Sequence, residues 1–467
     1  MMAHASRDPF WKAKVRSETA ITPAAAAVIE DKCLRCHAPA QHYGYRLRNS
    51  KMAFADLKSE GSEGVTCTVC HQIAKDNLGA RESFNGGFRI GEEKRIYGPH
   101  ADPFQMPMLH HTAYTATESK HVLDSALCGT CHTVITPTLD GDGRVLGEFI
   151  EQAPYLEWLA SDFASSGATC QSCHVPVLDD GKGQPVARHI AHNPMGRPFP
   201  PTRPRTPFGL HSFSGANVGM LDLLAGTIPD ESAILRRNAV RTRASLESAL
   251  DLELTPRVDG DTLEVAVDVR NRTGHKLPTA FPSRRVWLEF RILDAAGATL
   301  FVSGDWDRAT GELRAAADQP HRSVIESAGQ VIVYEAGYLD STGRPTHSLL
   351  RAASYRKDNR ILPHGFDASR RLPGGLTARQ IAPVGTSADA GFVPGEHRVR
   401  YRYRWQPGRK PARVSVTAWY QSIAPAHVAA LQGNSAEINQ FRNAYPSARA
   451  PVAMANRDVP LSRFADK

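Results

Sequence analysis

Eight cysteines govern what this 467-residue chain can become, because all eight fall in four copies of one pattern. The copies are Cys33-Leu-Arg-Cys36-His37, Cys67-Thr-Val-Cys70-His71, Cys128-Gly-Thr-Cys131-His132 and Cys170-Gln-Ser-Cys173-His174. A zinc ribbon uses two pairs per metal and has no need of a trailing histidine on each. A disulfide framework has no reason to repeat one spacing four times, and a thioredoxin-like pair would occur once, beside a βαβ pattern. Attachment of c-type haem needs the whole pattern. Two thiols add to the porphyrin vinyl groups, and the adjacent histidine lies under the iron as its proximal ligand. The cysteines are therefore read as anchors for four covalent haem c groups, with His37, His71, His132 and His174 on the irons.

Four irons need up to four further ligands, and fifteen histidines remain to supply them. Methionine would raise the potential, and Met106 and Met108 are available, but histidine is far more abundant here. Context narrows the field. His110 and His111 follow a Pro-rich loop, and His121 lies seven residues before Cys128, where its side chain reaches a neighbouring haem more easily than the one bound just downstream. His211 follows a Pro/Arg-rich stretch at 194–207. His275 sits in a loop that ends a strand, where a turn could also need histidine for no redox reason.

Several segments beyond the haem motifs carry a family resemblance. They are Glu118-Ser-Lys-His-Val-Leu-Asp-Ser-Ala-Leu-Cys128, Gly147-Glu-Phe-Ile-Glu-Gln-Ala-Pro-Tyr-Leu-Glu-Trp158, His211-Ser-Phe-Ser-Gly-Ala-Asn217, Thr273-Gly-His-Lys-Leu-Pro-Thr279, Pro282-Ser-Arg-Arg-Val-Trp287 and Asp358-Asn-Arg-Ile-Leu-Pro363. With them the chain resembles the soluble multihaem c-type cytochromes of bacterial respiration. The resemblance implies that histidines in these contexts serve as distal ligands, which favours His110, His121, His211 and His275. His111 and His42 stand in reserve.

The fold class expected is α+β and multidomain. Residues 1–240 hold every haem motif and read as short helices in long loops, with porphyrins forming much of the core. Asp8 and Pro9 open one helix, and Pro23 opens the next, which runs into Cys33. Residues 153–164 read as an amphipathic helix. Residues 245–425 change character. Leu263, Val265, Val267 and Val269 alternate, as do Val286, Leu288, Phe290 and Ile292, then Val399, Tyr401, Tyr403 and Trp405, then Val414, Val416, Ala418 and Tyr420. Repeated alternation with intervening turns predicts an antiparallel, Ig-like β-sandwich. Arg398, Arg400, Arg402 and Arg404 make a stripe, read as a solvated strand face that discourages edge pairing or, alternatively, as partners for haem propionates. Residues 426–467 are expected to run as an extended tail.

Composition removes other classes. The chain is 41% hydrophobic and 22% charged, which fits a globular protein rather than a collagen, coiled coil or disordered tail. No apolar run approaches the roughly 20 residues of a membrane span. A net charge of +8 invites a nucleic-acid reading, but four haems bring eight propionates that offset it. Haem attachment occurs outside the cytoplasm, so a periplasmic or extracellular location is expected. The first ten residues lack an apolar export segment, which predicts a mature, trimmed or mis-started chain. Electron transfer between unidentified redox partner proteins is the leading expectation, an electron carrier rather than an enzyme. A redox enzyme acting on a small nitrogen or sulfur compound at one five-coordinate haem is the alternative. A homo-oligomer or extracellular filament is a second alternative.

Overall fold

The computed structural model describes residues 1–58, 63–199, 202–316 and 318–464. The chain divides into two compact units, each assembled from separate stretches of sequence. One holds residues 1–7, 30–133 and 166–214; the other holds 8–29, 134–165 and 215–467.

The first unit contains all four cysteine motifs and little regular structure. Its helices are short, such as Pro39–Leu47, Cys67–Gln72, Met106–Thr112, Ser125–Gly129 and Cys170–His174. A two-stranded parallel pair, Arg95–Gly98 with Thr115–Glu118, is its one sheet among the described residues. Val69, Ile73 and Phe88 form a small apolar cluster, with Tyr43, Leu78 and Ile90 against it. The Tyr43 hydroxyl donates to the Ile90 carbonyl at 2.9 Å and fixes that cluster's edge. Beyond His174 the chain runs out and back, held by single bridges at Val177–Gly209, Arg188–Arg205 and His192–Pro198. Prolines at this density remove backbone donors and prevent a continuous ladder.

The second unit opens on the helix Pro9–Ile21. The Asp8 carboxylate caps it, accepting from the backbone N–H of Phe10 at 2.8 Å and Trp11 at 3.1 Å. Two larger sheets follow. In one, Leu250–Asp259, Thr262–Asn271 and Glu396–Arg404 lie antiparallel side by side, with Phe392–Val393 beyond and Val324–Ile325 joined parallel to Glu396–Arg404. In the other, Val333–Tyr334, Arg285–Leu293, Arg413–Gln421 and Val452–Pro460 pair in that order, and Thr299–Ser303 joins Arg285–Leu293. The alternating side chains are the buried ones. Leu263, Val265, Val267 and Val269 are fully covered, as are Val286, Leu288, Phe290, Val414 and Val416. Phe290 of one sheet stacks on Tyr401 of the other, ring centroids 3.9 Å apart. Strand Arg285–Leu293 departs from half-buried alternation, because Trp287 on its other face is also enclosed by Trp306, Leu313, Val331 and Val333. The region read as an amphipathic helix is broken into Pro154–Leu159 and Asp162–Ser165.

The arginine stripe is answered by acids on the neighbouring strand and turn. Arg398 grips Asp268 with two nitrogens at 2.6 and 2.8 Å, Arg402 reaches Glu264 at 2.8 Å and Arg404 reaches Asp261 at 2.7 Å. Residues 426–467, expected as an extended tail, carry structure up to the last described residue. The helix Ala436–Ala444 is capped by Ser435, and Phe441 packs on Phe10 at 5.1 Å. Val452–Pro460 pairs along Arg413–Gln421. The alternation there is too weak to read from sequence, since an edge strand buries only part of one face.

Candidate functional site

Each cysteine motif sits on a helical turn. The first closes the helix Ala26–His37, the second begins Cys67–Gln72 under the cap of Thr66, the third follows Asp124 as the cap of Ser125–Gly129, and the fourth follows Thr169. In helical geometry positions i, i+3 and i+4 share a face. The two thiols and the histidine of each motif therefore converge on one side, as a covalently held porphyrin requires.

The motifs cluster around the third. Interaction with Cys131, added to by burial, pushes the Cys36 thiol well up, and the same interaction lowers that of Cys131. Cys128 and Cys170 interact in the same way, which with Ser125 brings Cys170 down to about 7. Burial, reinforced by the neighbouring Cys131 and Cys67, pushes Cys70 up to about 11. These proton positions belong to the chain before attachment, since a thioether carries no proton. Gly86 lies at φ +71° with its backbone N–H on the Thr130 carbonyl at 2.8 Å. A Cβ there would sit 2.9 Å from the Arg35 Cβ and 3.2 Å from Cys36 Sγ, so only glycine lets the first and third motifs approach.

Three of the four motif histidines are oriented alike. The Nδ1–H of His37 donates to the Ala5 carbonyl at 2.9 Å, that of His71 to the Tyr97 carbonyl at 2.6 Å, and that of His174 to the Ser214 carbonyl at 2.8 Å. A carbonyl can only accept, so each Nδ1 carries the proton and each Nε2 keeps its lone pair. That tautomer is the one metal-binding histidines adopt. Burial also pushes His37 down to about 4, holding the ring neutral. His132 follows Cys131 directly, with its backbone N–H on the Cys128 carbonyl at 2.9 Å.

Of the four distal candidates, His211 is brought to a motif histidine. Its ring centroid lies 6.1 Å from that of His71, with the planes at 33°. An iron bound axially by two imidazoles separates their centroids by about 6 Å, from two bonds of about 2 Å and about 1 Å from each nitrogen to its ring centre. The Nδ1 of His211 faces the Gly209 carbonyl at 3.3 Å. His110 lies exposed on the helix Met106–Thr112, beside His111 and with Met106 and Met108 on the same helix. His121 has both ring nitrogens engaged, Nδ1 with the Ser119 hydroxyl at 2.6 Å and Nε2 with the Ile73 carbonyl at 2.8 Å. The reserve His42 is buried on Asp31 at 2.9 Å. His275 belongs to the second unit, where its Nδ1 faces the Lys276 carbonyl at 2.9 Å.

Sequence reading passes over two further features. His4 is buried next to Ala5, whose carbonyl receives His37; no spacing rule points to it. In the second unit His321, Asp389 and His397 meet, with both Nε2 atoms on Asp389 Oδ2 at 2.9 and 2.8 Å. Burial would raise the Asp389 carboxyl, but hydrogen bonds from His397 and from the Gly391 N–H hold it at about 2. The donor set is that of a metal site, yet its protons argue otherwise. Asn359 is fixed by its amide N–H to Val333 and its oxygen on the Glu335 N–H, so it must donate to His321 Nδ1. His321 Nε2 is therefore the protonated nitrogen and gives its hydrogen to Asp389, closing the network without an ion.

The apolar surface of the first unit also suits porphyrins. Among the described residues, eleven of the seventeen exposed large apolar side chains lie on it, including Phe104, Leu109, Ile190, Leu210 and Phe213, although it holds the minority of the chain. Side chains of this kind are what an apolar cofactor face covers.

Comparison with known proteins agrees with this chemistry. The model of a family described as cytochrome c554 and c-prime matches residues 2–72, which contain the first two motifs. A penta-heme cytochrome c552 from Thermochromatium tepidum superimposes with a TM-score of 0.52 at 18% identity, over 92% of this chain and 83% of that one. The likeness extends the shared fold to nearly the whole chain. No curated protein matches. The first match is local to the first two motifs and the second is a likeness of fold, and the helix-and-sheet architecture fits the α+β expectation. Among the described residues no helix is long and apolar enough to cross a membrane.

Proposed function

We propose that this protein transfers electrons through four covalent haem c groups, on Cys33/Cys36, Cys67/Cys70, Cys128/Cys131 and Cys170/Cys173. The observation that carries the proposal is the His71–His211 pair, whose separation suits an iron between the two rings. Bound haem supplies a one-electron Fe(III)/Fe(II) couple. The chain's own part is to hold each proximal imidazole neutral and fixed, through Nδ1 anchors such as Ala5, Tyr97 and Ser214. His211, His110, His121 and His275 form the proposed distal set. In this role the His121 ring turns its Nε2 away from Ile73. Filling both axial positions excludes substrate, which favours electron transfer over chemistry on a bound molecule.

The thiol contacts support close haem packing with the third attachment site as the junction among the others. Residues 1–240 are proposed as the haem-bearing domain, its core completed by porphyrin. Residues 245–425 are proposed as an Ig-like β-sandwich, a reading supported by the Phe290–Tyr401 stack. The location proposed is periplasmic or extracellular, with redox partner proteins as donor and acceptor.

The test is haem stoichiometry with carbon monoxide titration of the reduced protein. Four haems per chain and no carbon monoxide bound is the expected result. One full haem's worth of binding would replace the proposal with the enzyme reading.

A further inference from the structure

Within the first unit, one tight turn lies against both the first and the third cysteine motif. Asn85 and Gly86 have positive φ, +56° and +71°, and the Gly87 N–H donates to the Phe84 carbonyl at 3.0 Å. Residues Phe84 to Gly87 therefore form a type I′ turn, for which Asn-Gly is a favoured central pair. Such a turn ordinarily joins the two strands of a hairpin. Here it follows the short helix Arg81–Ser83, and among the described residues no strand adjoins it. Its two central amides are used elsewhere. The Asn85 N–H donates to the Thr133 carbonyl at 3.1 Å, and the Gly86 N–H to the Thr130 carbonyl at 2.8 Å. Those carbonyls stand on either side of Cys131 and His132, and both threonines are buried.

The same turn touches the first motif. The contact of Gly86 with Arg35 and Cys36 leaves no room for a side chain, and the Cys36 and Cys131 side chains interact directly. The turn is itself held in place. The Asn77 amide donates to the Gly87 carbonyl at 2.9 Å, and the buried Ser83 hydroxyl donates to the Ala80 carbonyl at 2.7 Å. A Cβ on Gly87 would fall 2.0 Å from the Glu82 carbonyl oxygen, so this position also excludes a side chain. A turn that reverses no hairpin, yet is fixed this closely, has its reason in what it contacts. It brackets the backbone of Cys131 and His132 on one side and abuts Cys36 on the other.

We propose that the Asn85-Gly86 turn is a positioning element that sets the separation of the first and third haems, and with it their electronic contact. The proposal deepens the electron-transfer reading and rests on haem attachment at both motifs. A haem held by two thioethers and one imidazole follows the backbone that carries them. Displacing Cys131 and His132 relative to Cys36 therefore displaces one porphyrin relative to the other, and electron exchange falls steeply with their separation. Gly86 acts through Cys36 and the Thr130 carbonyl, which makes it a positioning residue.

The test uses full-length holoprotein, with haem stoichiometry measured first. Gly86→Ala forces the turn off the first motif, and Asn77→Ala loosens its support. Gly91→Ala is the control, since a Cβ there meets nothing within 4 Å. Three readouts apply: the exciton couplet in Soret circular dichroism, electron equilibration among the haems after flash reduction, and amide hydrogen exchange at residues 85 and 86. The couplet depends on the distance and orientation of neighbouring porphyrins, which a purely structural lesion elsewhere would not move. Gly86→Ala with all haems attached is expected to lose couplet amplitude, to equilibrate more slowly and to exchange at least about tenfold faster. Asn77→Ala is expected to act in the same direction to a smaller extent, and Gly91→Ala to change nothing. An unchanged couplet and equilibration in fully loaded Gly86→Ala overturn the positioning role and leave the electron-transfer reading standing. If Gly86→Ala does not take up its haems, Asn77→Ala decides by the same criterion. A loss of equal size in Gly91→Ala would also overturn the positioning role. If the wild-type chain carries no haem at the first or third motif, the electron-transfer reading fails and the positioning role falls with it.

Discussion

The two units solve the problem of a core in different ways. In the second, sheets bury alternating apolar side chains against each other, and the largest, Trp287, Tyr334, Phe290 and Tyr401, are almost wholly covered. In the first, buried apolar side chains are few, and among the described residues from 166 to 214 there are none. Exposed apolar ones gather there instead. Hydrophobic burial scales with area removed from water, so a unit this sparse needs a further apolar component. On the proposed reading, bound porphyrins supply it. The second unit buries a core of its own side chains.

Blocking haem attachment breaks this comparison most sharply. Replacing all eight cysteines by alanine is expected to leave the first unit unfolded and the second intact. Limited proteolysis checks this: cleavage within 30–133 and 166–214, with 215–460 protected. Equal protection of both would mean that the first unit has a sufficient protein core.

A smaller lesion sits at one iron. His71→Ala and His211→Ala are each expected to open the same single haem to carbon monoxide, and the double variant no second haem. Opening of different haems by the two variants would separate the pair.

In the second unit, Phe290→Ala removes a ring stacked on Tyr401. It should cost about 3–5 kcal/mol in denaturant unfolding while leaving the haem spectrum unchanged. A spectral change would tie the sheets to the haem sites.

Acid should also act on the second unit. Burial would raise the Asp358 carboxyl, but Arg360 and Lys276 hold it at about 2, below its ordinary 3.8. Between those values the unfolded state binds more protons, so the contribution is complete above pH 3.8 and disappears as pH falls through 2. Burial, aided by the charge of His397, pushes His321 down to about 4, so its neutral form adds stability above pH 6.5 that is lost toward pH 4. Unfolding midpoints measured from pH 7 to 2 should therefore fall, in two ranges. The smallest effect is expected at the arginine stripe. Arg402→Ala should leave the denaturant midpoint essentially unmoved, since the pair with Glu264 is solvent-screened.

Much of the fold was legible in the chain because its causes are local. Asp8 before Pro9 marks a helix start whatever surrounds it, and the residues from Leu263 to Val269 alternate because one strand face is buried. The strand Val452–Pro460 was not legible, since its pairing supplies the reason for its conformation. At the site, the four Cys-x-x-Cys-His repeats are visible in the spacing alone, whereas the approach of His211 to His71 is not.

That division has one physical reason. The Cys-x-x-Cys-His pattern is a spacing of a few residues, and the sequence by itself determines it, four times over. The proximity of His211 to His71, the thiol contacts around the third motif and the joining of Glu157, Lys276, Asp358 and Arg360 span tens to hundreds of residues. No local preference encodes such a meeting. It is decided when the chain closes on itself, and only the tertiary structure records it.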